Sequence, residues 1–284
     1  MNSNFQNDVE LINLYIEKLL EKEQLTIDGT SFGYDKYKRF LAHLAHELLT
    51  KFHETSYSCN YQKLLTFTEE YLQRNPRYNI TAREVITYIE ERGILTQKVG
   101  ENDLYTFRLN GVFEYFVAHF MTLNPKFLDM TIEDDTYYLS FSNEYELYAG
   151  FKRDDESFLD KIYDKTKRVF ENTNGSYNIN ETSLDKQLVS KLVNLNNYSS
   201  SFNKITEKLK DGLTVEQQDE IEEELNNEAG LTIDNKSEVR KKEAIKLDES
   251  IESLEKTLSI LGGVYKNIDE ISDQKKVYEI FNYV

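Results

Sequence analysis

Tryptophan is absent from this chain of 284 residues, and cysteine and proline are nearly so, at one and two residues. A lone cysteine, Cys59, excludes an internal disulfide and fits a reducing compartment. Two prolines and 11 glycines are too few for the many tight turns of a multi-stranded β fold, so long helices with short connections are expected. No run of about 18 apolar residues occurs, so nothing reads as membrane-spanning. Residues 1–10 are polar and acidic, unlike a signal peptide. Positive charge is scarce as well. There are 34 Lys+Arg against 51 Asp+Glu, for a net charge of −17 and a pI near 4.8. A broad phosphate-backbone footprint needs clustered basic side chains, so nucleic acid is a disfavoured partner. What is abundant is aromatic: 20 Tyr and 16 Phe, enough to fill a core despite the charge. The expectation is a soluble, cytoplasmic, helix-rich protein.

Apolar residues at 11, 12, 15, 16, 19 and 20 draw one helical stripe over 8–25. A turn over 28–33 precedes a second helix over 35–54, with Phe40, Leu41, Leu44, Ala45, Leu48 and Phe52 on one side. A third runs from Tyr61 to Leu72 and stops before Asn75 and Pro76. The rhythm then changes. Thr81 and Glu84 form a capping box that opens a helix, and Gly93 sits where such a helix would end. A β-prone run at 94–99, a turn at 100–103 and a return run at 104–109 predict a hairpin, followed by a helix over 111–122. Helix, strand, turn, strand, helix is the outline of a winged helix, with the hairpin as its wing. From Asp129 onward the pattern is helical, with spans at 131–141, 143–151, 155–171, 183–197, 199–210, 215–228 and 239–260 and a last pair within 263–284. Residues 131–284 hold 33 acidic against 20 basic side chains and carry most of the negative charge.

Catalytic patterns are missing. Gly29 and Gly33 have the wrong spacing for a phosphate-binding loop, and Tyr34 and Asp35 follow where Lys and Ser/Thr are needed; Gly262 and Gly263 lack the preceding strand and the lysine. His43, His46 and His53 share one side of the second helix, but zinc would want a fourth ligand and an oriented imidazole, so a polar helix flank is the expected role. Cys59 lies between Ser58 and Asn60 with no adjacent basic residue to activate it. His119 sits among Phe116, Val117 and Phe120, as a core-edge histidine does. Residues 60–126 carry eight basic and eight acidic side chains, a balance that argues against a DNA-reading helix.

The stretch 90–121 carries coupled features in order: Arg92, Gly93, Ile94 and Leu95 at the helix exit, Tyr105 and Phe107 on the return strand, and Glu114, Tyr115, Phe116 and Ala118 on the next helix. In that order they resemble the winged-helix segment of STAND-type NTPases, the NACHT and related signalling ATPases. The helices over 35–74 are similar to the small helical domain that precedes this segment in the family, and 143–150 to the helical continuation of bacterial members. The resemblance implies a mainly α fold: an N-terminal helical domain (1–78), a winged-helix domain with its small hairpin (79–128) and an acidic α-helical array (129–284). Two departures stand out. The Walker motifs of the nucleotide-binding domain are not in this sequence, and Leu109 stands where many members place a nucleotide-sensing histidine, with Arg108 beside it.

The resemblance further implies the regulatory and sensor part of such a switch, with no catalysis and no cofactor of its own, working through protein contacts in signalling or antiphage defence. The partner would be a P-loop NTPase domain in cis or in trans. Tyr137, Tyr138, Tyr145, Tyr148 and Phe151 form the expected contact face, because aromatics are enriched at interface hot spots. Two other readings stand beside this one: a free-standing helical adaptor, and a winged-helix DNA-binding regulator, which the charge disfavours.

Overall fold

A computed structural model describes residues 8–20, 32–74, 78–98, 104–173, 239–248, 250–268 and 270. The fold is mainly helical with one small antiparallel sheet. The chain divides into two compact units. One comprises Glu10–Asn124 and Lys208–Lys242 and holds the sheet; the other comprises Met1–Val9, Pro125–Glu207 and Glu243–Val284 and is helical.

Helix α1 (Asp8–Leu19), which belongs to the sheet-bearing unit from Glu10 onward, is followed in that unit by α2 (Tyr34–Lys51), strand β1 (Cys59–Asn60), α3 (Tyr61–Gln73), α4 (Ala82–Glu91), β2 (Leu95–Gln97), β3 (Leu104–Phe107) and α5 (Asn110–Leu123). α2 buries Phe40, Leu41, Leu44, Ala45 and Leu48 of the expected stripe, together with Tyr37, whereas Phe52 lies past the end of the helix and is half-buried; α2 packs along α5. α5 is apolar nearly all round and is buried accordingly, from Val112 and Phe113 through Phe116 and Val117 to Met121. Each buried phenylalanine contributes on the order of 2–3 kcal/mol by leaving water. Phe107 of β3, itself fully buried, lies 5.5 Å from Phe113 and 5.8 Å from Phe116 by ring centroids.

The local signals of α4 take the form the sequence predicts. The Thr81 backbone N–H donates to Glu84 Oε2 at 2.7 Å while the Glu84 N–H donates to Thr81 Oγ1 at 3.3 Å, closing the capping box. At the other end Gly93 has φ 64°. Its N–H bonds the Glu90 carbonyl and the Ile94 N–H bonds the Ile89 carbonyl, so the helix ends in a Schellman motif. The chain then enters β2, whose Leu95, Thr96 and Gln97 pair with Phe107, Thr106 and Tyr105. The turn between the strands includes 99–103, outside the described residues.

The sheet has a third strand that the sequence reading left unassigned. β1 pairs antiparallel with β3, Cys59 opposite Tyr105 and Asn60 opposite Leu104, giving the order β1-β3-β2. Two residues are too short for alternation to register. Asn60 also serves the next helix, its side chain accepting from the Lys63 N–H at 2.9 Å.

The helical unit contains α6 (Pro125–Glu133), a 3₁₀ turn (Tyr138–Phe141), α7 (Ser142–Phe151), α8 (Glu156–Thr173) and α9 (Ile251–Asn267). α9 packs against α7 and α8. The helix expected over 131–141 is instead the end of α6, a turn and the 3₁₀ segment. Asp134 accounts for the break, its side chain accepting from the Thr136 N–H at 2.8 Å in an Asx turn. A second correction concerns 239–260. Residues 239–248 have no helical or strand structure, and α9 starts only after Ser250, whose hydroxyl accepts from the Ser253 N–H at 3.2 Å. Gly262 and Gly263 lie inside α9 and do not break it. The expected helices at 183–197, 199–210 and 215–228 lie outside the described residues, as does most of the expected last pair and of the turn at 28–33. No helix among the described residues is long and apolar enough to cross a membrane.

Candidate functional site

The residues of the 92–118 signature converge on one place, the seam where the exit of α4, the hairpin and α5 meet. Ile94, Leu95, Phe107, Tyr115, Phe116 and Ala118 are all buried. The Tyr115 hydroxyl donates to Asn13 Oδ1 on α1 at 2.7 Å. Arg92 lies over the Tyr88 ring, 4.0 Å from its centroid. Tyr105 is half-buried on β3, its ring 5.7 Å from Tyr61. Arg108 is engaged at the glycine turn, its Nε donating to the Gly93 carbonyl at 3.1 Å and its backbone N–H to that of Ile94 at 2.9 Å. Leu109 is buried at the N-terminus of α5. These are framework positions, which set the hairpin against the helices.

Glu114 is different. It is 8% exposed, on a helix otherwise packed in hydrocarbon, and its carboxylate faces Lys242 Nζ at 3.6 Å. Burying a carboxylate at such a depth is costly without a cation or strong donors beside it. Around this pair stand three further groups. Tyr57, fully buried and stacked on Phe113 at 5.1 Å, accepts from the Lys242 N–H at 2.7 Å. His53 Nε2 lies 3.0 Å from the Lys242 carbonyl oxygen, which can only accept, so that nitrogen carries the proton. Asn110 Oδ1 accepts from the Arg240 N–H at 3.0 Å.

The backbone that presents Tyr57 is strained. Ser56 and Tyr57 have φ of 50° and 56°, the left-handed region that costs a non-glycine residue roughly 1–2 kcal/mol. They hold it because the Tyr57 N–H bonds the Phe52 carbonyl at 2.9 Å and its carbonyl accepts from Thr106 Oγ1 at 3.2 Å. No sequence signal announces a tyrosine in this conformation, and none links it to a lysine 185 positions away.

The histidines of α2 part company. His43 and His46 both lie against Phe120 of α5, His46 stacked at 4.0 Å and His43 edge-on at 5.2 Å. They are half-buried packing groups and not the polar flank expected of them. Burial is the first cause that lowers both pKa values, reinforced at His43 by Arg74 and Arg39. Glu47 opposes the shift at His46. His53 is not on α2 at all, since the helix ends at Lys51 and His53 opens a 3₁₀ turn. Among the described residues no group of three or more His, Cys, Asp or Glu could hold a metal ion. Cys59 is buried, and burial pushes its thiol up to about 11, with Lys63 only partly opposing. That is the reverse of an activated nucleophile.

The aromatic face expected in the helical unit does not lie open. Tyr138, Tyr145 and Tyr148 are core residues there, and Tyr145 sits between Tyr138 at 5.5 Å and Phe158 at 6.2 Å. Tyr148 donates its hydroxyl to Asp155 Oδ2 at 2.7 Å. Only Tyr137 and Phe151 are half-buried. α9, which packs over α7, lies far on in the sequence, so α7 read alone looks more exposed than it is.

Taken together, the sheet-bearing unit is a helical framework around a small three-stranded sheet, with a buried Glu114–Lys242 ion pair. A family model described as Novel STAND NTPase 4 matches residues 57–117, so over this stretch the chain is related to STAND-type NTPases. The match begins at Tyr57 and includes Asn110, Glu114, both strands of the hairpin and most of α5. No curated protein and no solved structure gives a significant match.

Proposed function

We propose that this chain is the non-catalytic regulatory part of a STAND-type NTPase switch, working through protein contacts in signalling or antiphage defence. The observation that carries the reading is the coincidence of the family match with a single structural block. Residues 57–117 take in β1, α3, α4, the hairpin and the first part of α5, and α4, hairpin and α5 follow the helix-strand-turn-strand-helix outline of a winged helix. In such switches a winged helix holds an ATPase core in one of two arrangements, and a trigger shifts the balance only by favouring one of them. A rigid block suits that task. Its seam of Val85, Ile89, Ile94, Leu95, Phe107 and Phe116 is fully buried, so a force on the hairpin passes to α5 without side-chain slack.

The DNA-binding alternative meets an obstacle in α4. Its outward face presents Arg83 against Glu84 and Glu91, one cation against two anions, which supplies no phosphate-contacting stripe. The test is to combine the chain with the P-loop NTPase domain encoded with it or beside it, measuring association and ATP turnover. The reading requires saturable binding and a change in turnover. No P-loop domain in frame or adjacent, and a purified partner lacking one, would establish the adaptor in its place.

A further inference from the structure

Residues 239–242, Val-Arg-Lys-Lys, have no regular secondary structure, yet they are firmly held in the sheet-bearing unit. Val239 is buried. Two of the backbone N–H groups and one carbonyl are met by side chains of the unit: Arg240 N–H by Asn110, Lys242 N–H by Tyr57, and the Lys242 carbonyl by His53. Two lysines face two carboxylates, Lys242 the buried Glu114 and Lys241 the exposed Glu54 at 3.5 Å. Side chains that meet the backbone of an irregular segment, beside one pocketed cation and one buried apolar residue, suit the recognition of a short peptide.

We propose that this is a peptide-recognition site for a short basic segment, and that residues 239–242 are its resident, exchangeable ligand. Such a site does not depend on the NTPase reading. Recognition rests on few anchors. The Lys241 pair is solvated and adds little. Glu114 supplies the selectivity, because its buried carboxylate favours a cation over a neutral or acidic residue at the position of Lys242. Neither the sheet nor a helix is continued by the segment, so its departure breaks no backbone ladder. Covalent attachment keeps the local concentration of the resident segment high, which holds the site shut against free peptide.

The experiment uses the full chain and a fluorescent peptide of residues 235–246, read by anisotropy. Lys242→Glu opens the site by placing an anion against Glu114 while leaving Tyr57, His53 and Asn110 intact. The opened chain should bind the peptide at least ten-fold more tightly than the unaltered chain does. A peptide carrying the same Lys→Glu change should bind the opened chain at least ten-fold more weakly, and Glu114→Gln in the opened chain should abolish that preference. Val239→Asp, with Lys242 retained, serves as a second opened chain should the first fail to fold. Absence of peptide binding to a folded opened chain overturns the proposal. Unfolding of both opened chains overturns it too, since a segment the fold cannot release is a structural staple.

Discussion

Three glycines in the helical unit form a series in which one chemical change has three different outcomes. Gly→Ala in a helix interior gains roughly 0.8–1.0 kcal/mol of helix propensity. At Gly262, inside α9, an added Cβ meets nothing within 4 Å, so the gain is realised in full. At Gly263 the Cβ would lie 2.3 Å from Glu146 Oε1, 2.4 Å from its Cδ and 2.5 Å from its Cγ. Those atoms are the far end of a flexible side chain that can swing aside, and the cost of moving it offsets the propensity gain. At Gly150, near the end of α7, the Cβ would lie 2.3 Å from Val9 Cγ2 and 2.6 Å from Val9 Cβ. Val9 is buried and its Cβ is fixed to the backbone of α1, so no rotamer relieves the clash and the backbone must shift. Overpacking of that kind costs about 1–3 kcal/mol. Set against a reduced propensity gain at the helix end, the net loss is about 1–2 kcal/mol. Urea denaturation followed by far-UV circular dichroism reads all three, with tyrosine fluorescence as the second probe in a chain without tryptophan. The required order of stability is Gly262→Ala above wild type, Gly263→Ala near it and Gly150→Ala below it. A Gly150→Ala protein as stable as Gly262→Ala would refute the close approach of Val9 to α7.

Other outcomes follow from the sheet-bearing unit. Gly93→Ala forces a Cβ into the left-handed region at φ 64° and should cost roughly 1–2 kcal/mol in the same assay, with Gly93→Asn losing less. His43 and His46 have lowered pKa values in the folded state, so unfolding takes up protons: their contribution is present above pH 6.5 and is lost as the pH falls below it. The thermal midpoint should therefore drop between pH 7.5 and 5.5, and the double variant His43→Gln/His46→Gln should show a shallower drop; an equal slope would remove the histidines from the account. Cys59, with its thiol pushed up to about 11, should resist a thiol-exchange reagent at pH 8, where about one part in a thousand is thiolate. It should react at once in urea, and rapid labelling of the native protein would contradict its burial.

The legible parts of this fold were those written in local chemistry. Thr81, Glu84 and Gly93 mark both ends of α4 because a capping box and a left-handed C′ residue each need particular side chains within a few positions. The hairpin showed itself by alternation, and α2 by its stripe. Elements defined by distant partners did not show. β1 is two residues long and exists only through β3. Asp134 ends a helix that hydrophobic spacing would have continued. Residues 239–248 have helical composition, yet their N–H groups at Arg240, Lys242 and Leu247 are satisfied by Asn110, Tyr57 and the Asp135 carbonyl. Glu114 stood in the family signature without a reason, since its counter-charge is Lys242. The tyrosines of 137–148 have the composition of a contact surface, and what buries them includes α9, more than a hundred residues on.

The long reach of the Glu114–Lys242 and Asn110–Arg240 contacts also sets a timetable. The latter partners are 130 positions apart in the chain. At the usual pace of roughly 5–20 residues per second, a ribosome takes about 6–26 s to deliver the second after the first. Throughout that interval α5 and the hairpin have been made, and Glu114 waits for Lys242. Completion of the unit thus waits on a late-arriving stretch of chain, and a nascent polypeptide stalled before residue 239 would lack both the Lys242 and the Arg240 contacts.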